Sequence, residues 1–105
     1  MPEDYIIIKG DTANEIFFIL DGTVLLVAAD KYTIAMTLQQ SQFFGEIEVL
    51  SGARRQFYAQ AATFVTLNIL SKDKFEEISI FFPQLRKAFE QSSSKKQEKL
   101  ENFKV

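Results

Sequence analysis

Phe43-Phe44-Gly45-Glu46-Ile47-Glu48-Val49-Leu50-Ser51-Gly52-Ala53-Arg54-Arg55 interrupts a series of short strands, and its reading decides the fold. Two aromatics and a glycine lead into residues suited to one or two helical turns, and the stretch ends on a pair of arginines. A short helix beginning near Gly45 presents unpaired backbone N–H groups and the positive end of its dipole. Glycine at that point removes a Cβ and lets an anion approach the backbone closely. Arg55 supplies a guanidinium for charge-assisted bonding to a phosphate. The Glu46 carboxylate is an acceptor for a sugar hydroxyl. Arg54 and Glu48 read as solvent-exposed, Glu48 as an ordinary polar helix residue.

On the N-terminal side of this segment the chain reads as strands and turns. Residues 5–9 form an aromatic and β-branched run ended by Gly10-Asp11. Residues 15–20 are apolar on both faces, as in a strand covered on two sides. Asp21-Gly22 then separates that run from 23–28 and predicts a hairpin. Asp30-Lys31 turns into 32–38, where Ile34, Met36 and Leu38 alternate with polar or small residues, and a turn-rich 39–42 follows. Two further strands are expected at 56–61 and 65–70, beyond Arg55. Phe17, Phe18, Phe43, Phe44 and Phe75 are the expected aromatic core.

The last third changes period. Ser71 is the expected N-cap of an amphipathic helix carrying Phe75, Ile78, Phe81 and Phe82. Pro83 ends that helix and opens another, whose apolar face is marked by Leu85, Ala88 and Phe89. From Gln91 the composition is polar, and Ser92-Ser93-Ser94-Lys95-Lys96 weakens helix formation. The division is therefore a β domain with its first helices over 1–90 and a polar helix or tail over 91–105. Strands first and helices after define an α+β, mainly β, class.

Composition removes several functions. The chain has 105 residues, enough for one domain, and 11 phenylalanines in a 47% apolar composition, so it folds around a core. With no cysteine and no histidine, there is no disulfide, no thiolate or imidazole metal site, and no Ser-His-Asp or Cys-His catalysis. No catalytic residue, metal or cofactor is expected. A net charge of −2 argues against a nucleic-acid surface while leaving a single phosphate bindable by a local arginine. No apolar run approaches the roughly 18 residues that cross a bilayer, so no direct membrane insertion is expected. The start Met1-Pro2-Glu3-Asp4 lacks the basic residues of a signal peptide.

Gly10 after the first strand, Gly22, Phe44-Gly45-Glu46 and Arg55 occur together at the spacing of one family. Over nearly its whole length the chain resembles the cyclic nucleotide-binding domains. Within that family Phe82-Pro83-Gln84-Leu85-Arg86-Lys87-Ala88-Phe89-Glu90 is most similar to hyperpolarization-activated and cyclic-nucleotide-gated cation channels. The resemblance implies a β-roll of about eight strands, a short phosphate-binding helix, and a C-terminal helix closing over a bound base. It implies cAMP or cGMP as ligand, with Gly45, Glu46 and Arg55 as phosphate and ribose contacts and Phe44, Ile47 and Gln56 beside them. Lys96, Lys99, Leu100 and Phe103 are the implied lid. It also implies a cytoplasmic location, and as partners the rest of a larger channel polypeptide and its sister subunits.

This chain departs from the family pattern at three positions. Ser41 stands where the family has glycine, so a positive φ there costs about 1 kcal/mol. Gln56 and Phe57 replace the small residues that follow the arginine. Gln56 either donates to the ligand or fills its space, and Phe57 is expected in the core on the opposite strand face. Leu100 and Phe103 also fit packing against a neighbouring subunit. Three readings stay open: a cyclic-nucleotide sensor of a channel, a degenerate module of the same fold without ligand, and a cyclic-nucleotide-dependent kinase regulatory subunit. A transcription regulator is disfavoured because no helix-turn-helix follows the strands.

Overall fold

The computed structural model describes residues 3–103. Seven strands form two antiparallel sheets. They are β1 (Tyr5–Ile7), β2 (Glu15–Asp21), β3 (Val24–Val27), β4 (Ile34–Leu38), β5 (Phe43–Phe44), β6 (Tyr58–Ala61) and β7 (Thr66–Ser71). One sheet has the order β1-β6-β3-β4 and the other β5-β2-β7. Helix α1 (Glu46–Ser51) lies between β5 and β6, and α2 (Lys72–Phe81) and α3 (Pro83–Glu101) follow β7. This is a mainly β roll with its longer helices after the strands.

Period two in β2 explains how the roll and the helices share one strand. Phe17 and Ile19 point into the main core with Val24, Leu26, Leu38, Phe44 and Ala59. Ile16 points the other way, into a second cluster with Val49, Phe75 and Phe89, against which Phe18 and Phe43 are packed. The apolar character of β2 on both faces therefore reflects burial between the roll and the helices. Phe17 pairs with Phe44 across β2 and β5, and their rings stack at 5.1 Å. Phe89 meets Phe43 at 4.9 Å and Phe75 at 5.4 Å, both edge-on, which fastens α3 to the roll.

Asp21-Gly22 does not make the expected hairpin. Strand β2 pairs with β5 and β7, whereas β3 pairs with β4 and β6, so this dipeptide is a corner where the chain changes sheet. Gly22 is required there for close approach: a Cβ would collide with the Phe64 carbonyl oxygen at a φ of +100°. The hairpin lies one strand later, between β3 and β4. Its turn is held by Asp30, whose Oδ1 accepts from the N–H groups of Tyr32 and Thr33 at 2.8 Å each. These bonds hold the Asp30 carboxyl below its ordinary pKa, the Thr33 hydroxyl contributing most.

Ser71 caps α2, its hydroxyl accepting from the Lys74 N–H at 3.1 Å. Phe81 and Phe82, expected on the buried face of that helix, are instead exposed with Ile80 at the α2–α3 junction. Pro83 occupies the first turn of α3. That helix runs unbroken through the serines at 92–94, which corrects the expectation of a weakened tail. Phe89, Ser93 and Leu100 are buried on one of its faces, and such tertiary contacts outweigh weak local propensity. Phe75→Ala should lower stability by about 3–5 kcal/mol, the range for truncating a buried phenylalanine. Urea denaturation followed by circular dichroism measures it.

Candidate functional site

Gly45 closes β5 and caps α1 in the left-handed region, at φ +88°. A Cβ on it would lie 3.0 Å from the Arg55 Nη1, 3.2 Å from the Glu15 carbonyl oxygen and 3.2 Å from the Phe17 ring. Ser41, just before, adopts a positive φ, at +76°, and its N–H donates to the Ile19 carbonyl at 2.9 Å. The backbone therefore keeps the turn that glycine would favour, despite a side chain.

Arg55 is anchored from both ends. Its backbone N–H donates to the Asp11 carbonyl at 2.9 Å, and its own carbonyl accepts from the Gly10 N–H at 2.9 Å. Its side chain is buried. Nη1 donates to the Gly45 carbonyl at 2.7 Å and to Glu48 Oε1 at 3.2 Å, and Nη2 donates to the Glu15 carbonyl at 2.7 Å. Glu48 is therefore not the solvated residue expected: it is 8% exposed and forms the ion pair that neutralises Arg55. Burial pushes the Glu48 carboxyl above its ordinary pKa, and Arg55 opposes that shift without cancelling it. Arg54 is exposed, as expected, and donates to the Gly10 carbonyl at 3.1 Å.

Glu46 is fully buried, and α3 supplies its partners. Lys96 Nζ lies 3.0 Å from Glu46 Oε2 and 3.3 Å from Oε1, and the Ser93 hydroxyl donates to Oε2 at 3.3 Å. Lys96 also donates to the Phe43 carbonyl at 2.8 Å and stands 4.8 Å above the Phe43 ring. The acceptor expected for a sugar hydroxyl thus already holds two donors of the chain itself.

Between these groups lies a cavity of about 20 Å³, lined by Phe44, Gly45, Glu46, Ile47, Glu48, Phe57, Lys96 and Leu100 together with Ile7 and Leu26. Ligand pockets typically measure about 300–1,000 Å³, so this space is short by more than tenfold. Two side chains account for the shortage. Phe57 is buried in the main core, as expected, and also lines this cavity, and Leu100 is 2% exposed within the same core. Leu100 and Phe103 pack inside their own chain.

Most of the expected site residues therefore meet in one place: Phe44, Gly45, Glu46 and Ile47 line the cavity with Lys96 and Leu100. Arg55 does not line this cavity, although it bonds Gly45 and Glu48 of its wall, and it lines a separate cleft of about 110 Å³ beside Asp11, Thr12 and Asn14. Gln56 is half-buried and does not line the cavity. Lys99 lines a different cleft of about 320 Å³, with Lys95, Ser92, Ser41 and Gln42. Sequence reasoning missed Glu48 and Ser93, because neither residue type nor spacing marks a polar helix residue for burial. Gly45→Ala should destabilise the domain by at least about 1 kcal/mol, since it forces a side chain into left-handed backbone beside the arginine. A thermal melt against the parent chain checks this.

Among the described residues no group of His, Cys, Asp or Glu is placed to hold a metal ion, and no helix is long and apolar enough to cross a membrane. The family profile described as "Cyclic nucleotide-binding domain" matches residues 1–79. The chain is 35% identical over 96 residues to the cyclic nucleotide-gated channel cone photoreceptor subunit alpha of Gallus gallus, covering 86% of this chain and 13% of that one. It is 37% identical over 89 residues to the potassium/sodium hyperpolarization-activated cyclic nucleotide-gated channel 2 of Mus musculus, covering 85% and 10%. These relatives are channels rather than enzymes, and the chain spans only a small part of their length. A regulatory subunit of a cAMP-independent protein kinase A from Trypanosoma brucei shares the fold, with a TM-score of 0.74 at 24% identity, over 92% of this chain and 36% of that one. With the roll, the short helix and the Gly45–Glu46–Arg55 arrangement in hand, the chain belongs to the cyclic nucleotide-binding domain family.

Proposed function

We propose that this domain is a cytoplasmic regulatory module of a cation channel, with a cyclic-nucleotide site that its own side chains hold shut. One observation carries the reading: the two charged groups suited to phosphate and ribose, Arg55 and Glu46, are both paired within the chain. The channel context draws on the relatives' names and on the share of the chain they match. A cyclic nucleotide, cAMP or cGMP, would be recognised by the Gly45 region and by Glu46 and Arg55. Sister subunits and the remaining channel polypeptide would receive the signal.

The physical mechanism is linkage. Leu100, on α3, fills part of the space that a nucleotide needs, so a ligand binds the state in which α3 has left the roll. Its binding free energy then shifts the docked–undocked equilibrium of α3 and of whatever is attached to that helix. This reverses the simple expectation of a helix that closes only over bound ligand. A second reading, a module of the same fold that takes no nucleotide, draws on the same filling by Phe57 and Leu100.

Calorimetric titration with cAMP and with cGMP separates the two. For the sensor, Leu100→Ala weakens docking of α3 and raises affinity over the parent chain. Arg55→Ala in that background lowers it about ten- to a hundredfold, since hydrogen bonds to charged groups contribute roughly 1.5–3 kcal/mol. No heat and no thermal stabilisation at millimolar nucleotide, in parent and Leu100→Ala alike, would leave the ligand-free module as the function.

A further inference from the structure

We infer that Glu48 is an internal stand-in for the ligand phosphate, a tethered carboxylate that occupies Arg55 and sets the affinity of the site for anions. The inference rests on the reading that this site takes a cyclic nucleotide. A carboxylate and a phosphate are interchangeable partners for a guanidinium, because both offer paired oxygens to its N–H groups. Glu48 Oε1 sits 3.2 Å from Arg55 Nη1, and the side chains of both are at most 10% exposed. The pair is thus out of water, where exchange for another anion is not masked by solvent.

The cavity borders one member of the pair. Glu48 lines the cavity beside Gly45 and Glu46, whereas Arg55 lines the separate cleft near Asp11 and Asn14. The carboxylate thus borders the cavity, and the guanidinium is bonded to two residues of its wall, Gly45 and Glu48. Both carboxylates of the cavity wall are already paired, Glu46 with Lys96 and Glu48 with Arg55, so an entering phosphate meets no uncompensated cation among the described residues of that wall. Removing the Glu48 charge leaves Arg55 a buried cation held by the Gly45 and Glu15 carbonyls, so its charge becomes available to an anion. Burial already holds this carboxyl above its ordinary pKa, so neutralising it recovers part of a desolvation penalty.

An ordinary structural ion pair would have the same geometry but different consequences. Glu48→Gln keeps the size and an acceptor oxygen for Nη1, and Glu48→Ala is the second arm should the first fail to fold. Three ligands are titrated into the parent and both variants: cAMP, cGMP and inorganic phosphate, the last read as a shift in melting temperature. The expected result is at least a tenfold gain in nucleotide affinity, a larger phosphate-induced shift than in the parent, and loss of both on adding Arg55→Ala. Lower stability with unchanged anion affinity would reduce Glu48 to a structural partner and overturn the inference. If the parent binds nucleotide and the Glu48 variants bind no tighter, the inference falls while the sensor reading stands. If parent, Leu100→Ala and both Glu48 variants all fail to bind at millimolar nucleotide, both fall together.

Discussion

The constraint on which this domain is built is a set of three buried charges, Arg55, Glu46 and Glu48, completed by the half-buried Lys96. Arg55 pairs with Glu48, Glu46 sits two residues away on the same short helix, and Lys96 reaches Glu46 from α3. A charge taken out of water is costly unless it is paired and its remaining hydrogen-bonding capacity is used. Here that capacity is used by backbone carbonyls of two segments: Phe43 and Gly45 at the β5–α1 junction, and Glu15 at the start of β2. Arg55 and Lys96 thereby tie β2 and α3 to the β5–α1 junction. No buried side-chain polar atom among the described residues lacks a partner, which is the condition under which such a network holds one structure.

Around those charges the apolar packing divides into two parts. The roll closes over Phe17, Phe44, Phe57 and Leu100, and the helices close over Phe75 and Phe89. Strand β2 belongs to both, since its alternate residues face opposite ways. Helix α3 likewise enters both, with Phe89 in the second cluster and Leu100 in the first. Any displacement of α3 therefore breaks an aromatic contact and an ion pair at once. That coupling is what a regulatory helix needs: its position depends on the same residues that surround the cavity, so a change at one is felt at the other.

Much of this was legible before the fold was known, wherever local chemistry decides. Ser71 as a cap, Pro83 in the first turn of α3 and the double-sided apolar pattern of β2 all follow from properties of single residues or short runs, whereas the positive φ at Ser41 was suggested only by the family's glycine there. The reading of Asp21-Gly22 as a hairpin failed because a turn dipeptide specifies a change of direction but not which strands pair. That choice was made by β7, nearly fifty residues further on, which pairs with β2 along its length. The serines of α3 were read as weak helix, and are so locally; Ser93 bonding to Glu46 and Leu100 entering the core outweigh that weakness.

By itself, then, the sequence determined the class of the fold and singled out residues whose chemistry suits a phosphate and a sugar. Strand periodicity, glycine placement and the chemistry of Gly45, Glu46 and Arg55 are properties of neighbouring residues. Whether those groups are available is a property of distance in space. Only the tertiary structure decided that Glu48 would turn inward to Arg55, that Lys96 would reach Glu46 across fifty residues, and that Phe57 and Leu100 would meet inside the roll. The reason is physical: burial and ion pairing depend on which segments converge, and convergence is settled by the packing of the whole chain.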